Sequence, residues 1–379
     1  MRAIGIAISK LEYEYNPRSI DSARIAVKNY LASNSMQLSV KDIHALYGLV
    51  LTGSVVSPST PLSEGSLITL DSLQNSGTVV LVPSQDDGWI FCYTVFMSRL
   101  MLDYYLHDEF GNSLVDSAKR LLGFIDTRGP DSFEKFVAHF HGMKKAMLLQ
   151  KYSRDGAVPF ASFYSGALIG EALLKQKLQL KPVPSEYPDG VMWRQGKRYP
   201  DTAEPDHVSD HLKNGGVLLN SKGAAVDVLV GENVRDFNSS EWQEGVTVYA
   251  MKHTIVGNTE LTLNDIKVDL DKAVDVLKAS KNHSKALTTM IHFSNRELSK
   301  DLRDVNKWDP KWQRSVIVDR SNLESVVGPM FGRMLTSKGF YEIGRGAKAR
   351  PYSTLARVVP VSRRCHGTVS VAWMSRLFI

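Results

Sequence analysis

Cysteine is scarce: only Cys92 and Cys365 occur in 379 residues, far apart and without CxxC spacing. This excludes a disulfide framework and a thiolate metal site, and it fits a reducing compartment. A long apolar run is missing as well. The strongest stretch, WIFCYTVFMSRLMLDYYL at 89–106, is broken by Arg99 and Asp103 and falls short of the roughly 20 apolar residues that a membrane span needs. It predicts a buried helix, and no membrane span is expected. The opening MRAIGIAISKLEYEYNP becomes charged too early for a secretory signal and predicts a first strand near residues 2–8.

Nucleotide and acyl-transfer signatures are also lacking. GRGAKAR does not have the G-x-x-x-x-G-K-[ST] spacing of a phosphate-wrapping loop. YSGALIG has a serine beside glycine but not G-x-S-x-G, and no histidine and acid can be assigned as its partners. No repeat of fixed period and no low-complexity tract occurs. No catalytic set and no cofactor are therefore expected.

The absence that carries most information is that of acid at the end of the chain. Glu342 is the last acidic residue, and seven cations follow it: Arg345, Lys348, Arg350, Arg357, Arg363, Arg364 and Arg376. Residues 1–342 carry a net charge of −1, so the whole positive surplus is terminal. Between 344 and 367 arginine outnumbers lysine five to one, and the planar guanidinium suits bidentate phosphate contact and stacking on bases. A basic segment on a balanced body marks a polyanion partner, nucleic acid (RNA) first, with an anionic membrane surface or an acidic protein behind it. The alternative for these arginines is pairing with acids of the body or solvation of an edge strand.

What is present is ordinary for a globular fold: 43% hydrophobic and 23% charged residues. The predicted class is α+β, with a helix-rich lobe at 1–180, a Pro-rich connecting loop at 181–206, a mixed α/β lobe at 207–343 and an extended basic segment at 344–379. In the first lobe Ser39 is placed to cap a helix through SVKDIHALYGLVL, and TVVLVP predicts a short strand. Helices are expected over 89–107, 113–125, 131–151 and 160–178. In the third, Phe133, Phe136, Val137, Phe140, Met143 and Met147 form one apolar stripe. The loop holds five of the fifteen prolines, which stop both helices and central strands. Beyond it, GGVLLNSKGAAVDVLVG predicts a hairpin, GVTVYAMKHTIVG and SVIVDR predict strands, and LNDIKVDLDKAVDVLKAS predicts a helix. NLESVVGPMFGRMLTS predicts a helix interrupted at Pro329.

Two further places mix bases with aromatics: Trp193, Arg194, Lys197 and Arg198 in WRQGKRY, and Lys311 and Arg314 in KWDPKWQR with Trp308 and Trp312. Cations that follow phosphates and rings that stack on bases are the means by which single strands are held. His207 and His211 share a helical face as a zinc pair would, yet the motif carries Asp210 where the inverted zinc-protease pattern has Glu, and no third ligand is identifiable. His139 and His141 would fall on opposite sides of a helix. Asp265, Asp269, Asp271 and Asp275 alternate with Lys267, Lys272 and Lys278, which predicts a solvated face and no metal site.

The function expected from these features is a structural nucleic-acid-binding protein, a capsid or nucleocapsid subunit that assembles with copies of itself, and with other capsid proteins, in a virion or the host cytoplasm. Two alternatives stand beside it: a scaffold that contacts only proteins, and a nucleic-acid-processing or metal-dependent enzyme with its site near His207 and His211.

Overall fold

A computed structural model describes residues 39, 41–42, 45–46, 48–49, 57–75, 81–83, 89–91, 113–127, 130–151, 157–182, 184–194, 206–221, 224–253, 260–279 and 285–336. They fall into two compact units, one ending at residue 91 and one spanning 113–336. The class is α+β: helices with a mixed sheet. Among the described residues no helix is long and apolar enough to cross a membrane.

In the first unit, Ser39 caps the helix that includes Lys41 and Asp42. Asp42 N donates to Ser39 Oγ at 3.2 Å while Ser39 N donates back to Asp42 Oδ2 at 3.0 Å, the reciprocal pairing of a capping box. Helix α1 (Leu70–Asn75) starts in the same way, on Thr69 and Ser72. Strands β1 (Leu81–Pro83) and β2 (Trp89–Phe91) pair antiparallel. The helix expected from residue 89 is thus a strand at its start, in keeping with the β-preference of its aromatic and β-branched residues.

The second unit begins with the helical hairpin α2 (Ser113–Thr127) and α3 (Pro130–Lys151), close to the expected limits. The helix expected over 160–178 is instead four short elements: α4 (Phe160–Phe163), β4 (Leu168–Ile169), α5 (Glu171–Leu174) and β5 (Gln176–Gln179). Gly166 at φ +87° and Gly170 interrupt any helical run there. Strand β3 (Ala157–Pro159) precedes them; β6 (Val191–Trp193), α6 (Asp206–Lys213), β7 (Val217–Leu219), β8 (Val228–Asp236), β9 (Gln243–Lys252), α7 (Leu263–Ala279), β10 (Leu287–Ser294), β11 (Ser315–Val318) and α8 (Leu323–Thr336) follow. The expected hairpin, strands and helices after residue 215 are all present, and α8 breaks at Gly328, φ +84°, just before Pro329.

All nine strands of this unit form one sheet, in the order β3-β5-β8-β9-β10-β11-β4, with β7 also on β8 and β6 on β7. Strands on both sides of 181–206 belong to it, so the expected lobe boundary falls inside a single unit. Pairings of β6 with β7, and of β9 with β10 and β10 with β11, are parallel, whereas β8 runs against β7 and β9. Strands β5, β6, β7, β9, β10 and β11 therefore share one direction, and the carboxyl ends of the last five line one rim.

Because side chains alternate along a strand, each sheet face has its own lining. Val246, Val248 and Ala250 of β9 pack with Met290, Ala273 and Leu277 and with Val208 and Leu212 of α6. On the other face, Phe133 of α3 meets Phe293 of β10, and Phe136 and Phe140 meet Phe331 of α8. The sheet is thus sandwiched between α6 and α7 on one side and α3 with α8 on the other. The α3 stripe is buried as expected from Phe133 to Met143.

Candidate active site

Ionisable groups collect at the carboxyl rim, on the α7 face. Asp227 stands just before β8, which runs opposite to β9, so it lies beside the end of β9; its Oδ2 accepts from Met251 N at 2.7 Å. Lys252, the last residue of β9, donates from Nζ to Oδ1 of Asp269 on α7 at 2.8 Å. His292 of β10 places Nδ1 3.8 Å from Asp269 Oδ2. Ser294 Oγ donates to the Lys252 carbonyl at 2.8 Å and so ties the two strand ends together. Asp269 and His292 are buried, whereas the Lys252 side chain is 27% exposed. The cluster therefore has a closed floor and an open lysine.

Its electrostatics separate the two carboxyls. Burial pushes Asp227 up to about 6, with the Asp269 charge adding to the rise and Lys252 and Lys272 opposing it. Burial also raises Asp269, but its contacts with His292 and Lys252 outweigh that and hold it below the usual carboxylate value. Next to the lysine, burial and the charge of Arg296 push His253 down to about 4, so that the ring is neutral at pH 7. Asp227 and Asp269 thus have carboxyls shifted in opposite directions beside one lysine, at the rim where parallel strands end.

The residues singled out in the sequence divide between two ends of the sheet. Trp193 and Arg194 close β6 on the carboxyl rim. Trp193 is 50% exposed, with Lys135 Nζ 4.3 Å from its ring centroid. Arg194 is buried and donates from its backbone N to Leu219 O at 3.0 Å. Lys311 and Arg314 precede β11 and lie at the opposite, amino end. Lys311 is exposed. The Arg314 guanidinium is engaged by Thr288 O, Gln176 Oε1 and Thr289 Oγ1, all within 3.2 Å, and so clamps β10 to β5. The rings of Trp308 and Trp312 are buried in a cluster with Leu261, Ile266, Leu298 and Ile317, so KWDPKWQR builds core there and offers no stacking face. Lys197, Arg198, Arg345, Lys348, Arg350, Arg357, Arg363 and Arg364 lie outside the described residues.

The histidine pairs are occupied differently. His211 Nε2 donates to Val217 O at 3.0 Å, and burial lowers its pKa; the side chain of His207 is outside the described residues. His139 and His141 diverge as the helical reading requires, one to Asp189 Oδ2 at 2.8 Å and the other to Tyr249 OH at 2.5 Å. The expectation of a solvated acidic face on α7 holds for Asp271 and Asp275 but not for Asp269, because that residue sits in the buried stripe with Ile266, Ala273 and Leu277.

Compared with protein families, curated proteins and solved structures, the chain has no significant match. Function therefore rests on the rim itself. Among the described residues no three His, Cys, Asp or Glu side chains gather into a metal cage. Asp227 and Asp269 supply two carboxylates, the number that magnesium commonly takes from a protein when waters and a phosphate complete its shell. Neither Asp227 nor Lys252 stood out in the sequence, since each belongs to a segment that reads simply as strand.

Proposed function

We propose that this protein acts on the phosphodiester backbone of a nucleic acid, at the rim formed by Asp227, Lys252 and Asp269. The observation that carries this reading is the placement of a partly exposed lysine with two carboxyl groups, one of them pushed up to about 6 by burial, at the common carboxyl end of five strands. Lys252 binds a non-bridging phosphate oxygen while Asp269 fixes its ammonium in place. Asp227 and Asp269 would hold a hard divalent cation, which polarises the phosphoryl group and lowers the pKa of a bound water. The cations after Glu342 add attraction to the backbone that is independent of sequence.

A coat subunit, the first expectation, shares the polyanion partner but has no use for divided carboxyl pKa values on a sheet rim; the catalytic reading is put ahead for that reason. The test is cleavage of labelled single- and double-stranded DNA and RNA by purified protein with magnesium or with chelator. Cleavage that needs the ion and is lost in Lys252→Ala supports the proposal. Absence of cleavage on every substrate, together with ordered particles carrying RNA, would replace it with the coat reading.

A further inference from the structure

The rim also carries an aromatic group that the chemistry above leaves unused. Trp193 ends β6, which pairs with β7 alone among the described strands, and half of its surface is open. Its position is fixed from both sides in sequence: Met192 is anchored in the α6 and α7 core, and Arg194 N continues the pairing to Leu219 O. An exposed tryptophan on a rigid strand end is a costly feature for packing alone, because the largest apolar side chain gains little there. A cation lies over its ring, Lys135 Nζ at 4.3 Å from the centroid.

We infer that Trp193 is a stacking platform for an unpaired base and that Lys135 takes the adjoining phosphate, which makes the substrate of this rim a single strand. This inference rests on the nucleic-acid reading of the Asp227–Lys252–Asp269 site. The Lys135 ammonium lies over one face of the ring, which leaves the opposite π-face for a base and sets a positive charge near its backbone, the two surfaces that a nucleotide of a single strand offers. The register supports the same conclusion. Trp193 is level with Leu219, Val228 and Tyr249 on successive strands, so β6 and β9 are three strand spacings apart, about 14 Å. That span corresponds to about four nucleotides at the rise of stacked bases. Trp193 points to the α3 face, where Lys135 stands, whereas Lys252 points to the α7 face. A chain that serves both must bend over the rim, which a single strand does readily and a stiff duplex does not.

The experiment measures binding and cleavage separately. Binding is read in chelator, by anisotropy of a labelled 20-nucleotide oligothymidine and of a 20-base-pair duplex, for the parent protein, Trp193→Ala, Trp193→Phe and Lys252→Ala. Trp193→Ala is expected to weaken oligothymidine binding about tenfold, the scale of one lost base stack, while duplex binding stays within twofold and Trp193→Phe keeps most of the affinity. In magnesium, Trp193→Ala raises KM for the single strand and leaves kcat nearly unchanged. Equal loss on both probes, or no loss on either, overturns the stacking assignment. If Lys252→Ala abolishes cleavage in that same experiment, the assignment of the rim stands without it; if Lys252→Ala cleaves normally, the rim reading itself fails.

Discussion

The two faces of the sheet in the second unit carry similar chemical groups put to opposite uses. On the α3 face, Glu232 Oε2 accepts from Thr247 Oγ1 at 2.5 Å, Tyr249 OH lies 2.5 Å from His141 Nδ1, and Tyr164 OH lies 3.1 Å from Tyr249 OH. Lys145 donates to Gly215 O and Lys144 to Val326 O, the latter at 3.2 Å. Every one of these side chains is buried. Burial raises Glu232 and lowers Lys145, each partly restored by the other's charge, and burial pushes Lys144 down to about 8. On the α7 face Lys252 is part-exposed and Asp227 is half-buried, while Asp269 beside them is closed off. A titratable network closed on all sides specifies packing, while the same groups at a strand end can meet a substrate. Accessibility, more than residue type, distinguishes the two.

Breaking the comparison on the α7 face gives the largest expected effect. Lys252→Ala removes the phosphate-binding cation and is expected to lower cleavage by about 10²- to 10⁴-fold, the range for loss of a positioned catalytic group, and to lower the urea midpoint as well, because buried Asp269 loses its counter-charge. On the α3 face the result inverts. Glu232→Ala leaves the Lys145 ammonium without its carboxylate and is expected to cost about 3–5 kcal/mol of stability, whereas Glu232→Gln, which keeps an acceptor for Thr247, costs less. If Glu232→Ala folds normally and loses cleavage, the α3 network is part of the active site and the contrast is wrong.

How much of this was legible in the sequence follows from what each signal depends on. The α3 stripe and the strands through Val228, Val248 and Val316 could be read because apolar periodicity is local. Lys144 and Lys145 could not be read as buried, since only α8 and the end of α6 supply their acceptors, Val326 O and Gly215 O, from far along the chain. Asp269 was assigned to solvent because Lys267, Lys272 and Lys278 alternate with the acids of its helix, and a helix wheel gives no notice that a lysine from β9 will stand opposite one position. The run 160–178 failed for a similar reason: its Phe and Leu spacing suits a helix, but β4 gains more by pairing along one edge of the sheet and β5 by pairing between β3 and β8. Trp193 and Arg194 were found because a basic aromatic pair is visible without a fold, though only the strand order puts them on the same rim as Lys252.

The pH dependence of stability sharpens the contrast further. Asp227 has its carboxyl near 6 in the folded protein against 3.8 when unfolded, so the folded state holds the extra proton between those values and stability falls as pH rises through the window. The difference corresponds to about 3 kcal/mol lost by pH 7. Asp227→Asn keeps an acceptor for Met251 N and carries no charge. It is expected to be more stable than the parent by up to that amount at pH 7.5, with the gap closing towards pH 4, and to be inactive. Urea denaturation at the two pH values checks this; a variant less stable at pH 7.5 would mean that the buried charge is not a burden to the fold.

The smallest expected effect lies on the closed face. Tyr249→Phe removes one hydroxyl that serves both His141 and Tyr164, leaving a buried imidazole nitrogen without its partner. Loss of one buried hydrogen-bonding group costs about 1–3 kcal/mol, and here the low end applies because Tyr164 can turn its hydroxyl and the phenyl ring preserves packing volume. His141 is already held neutral by burial and by the charges of Lys145 and Lys144, so no ion loses a counter-charge. Cleavage should remain within twofold of the parent while the urea midpoint falls, a small effect whose separation of rate from stability distinguishes a packing network from an active site.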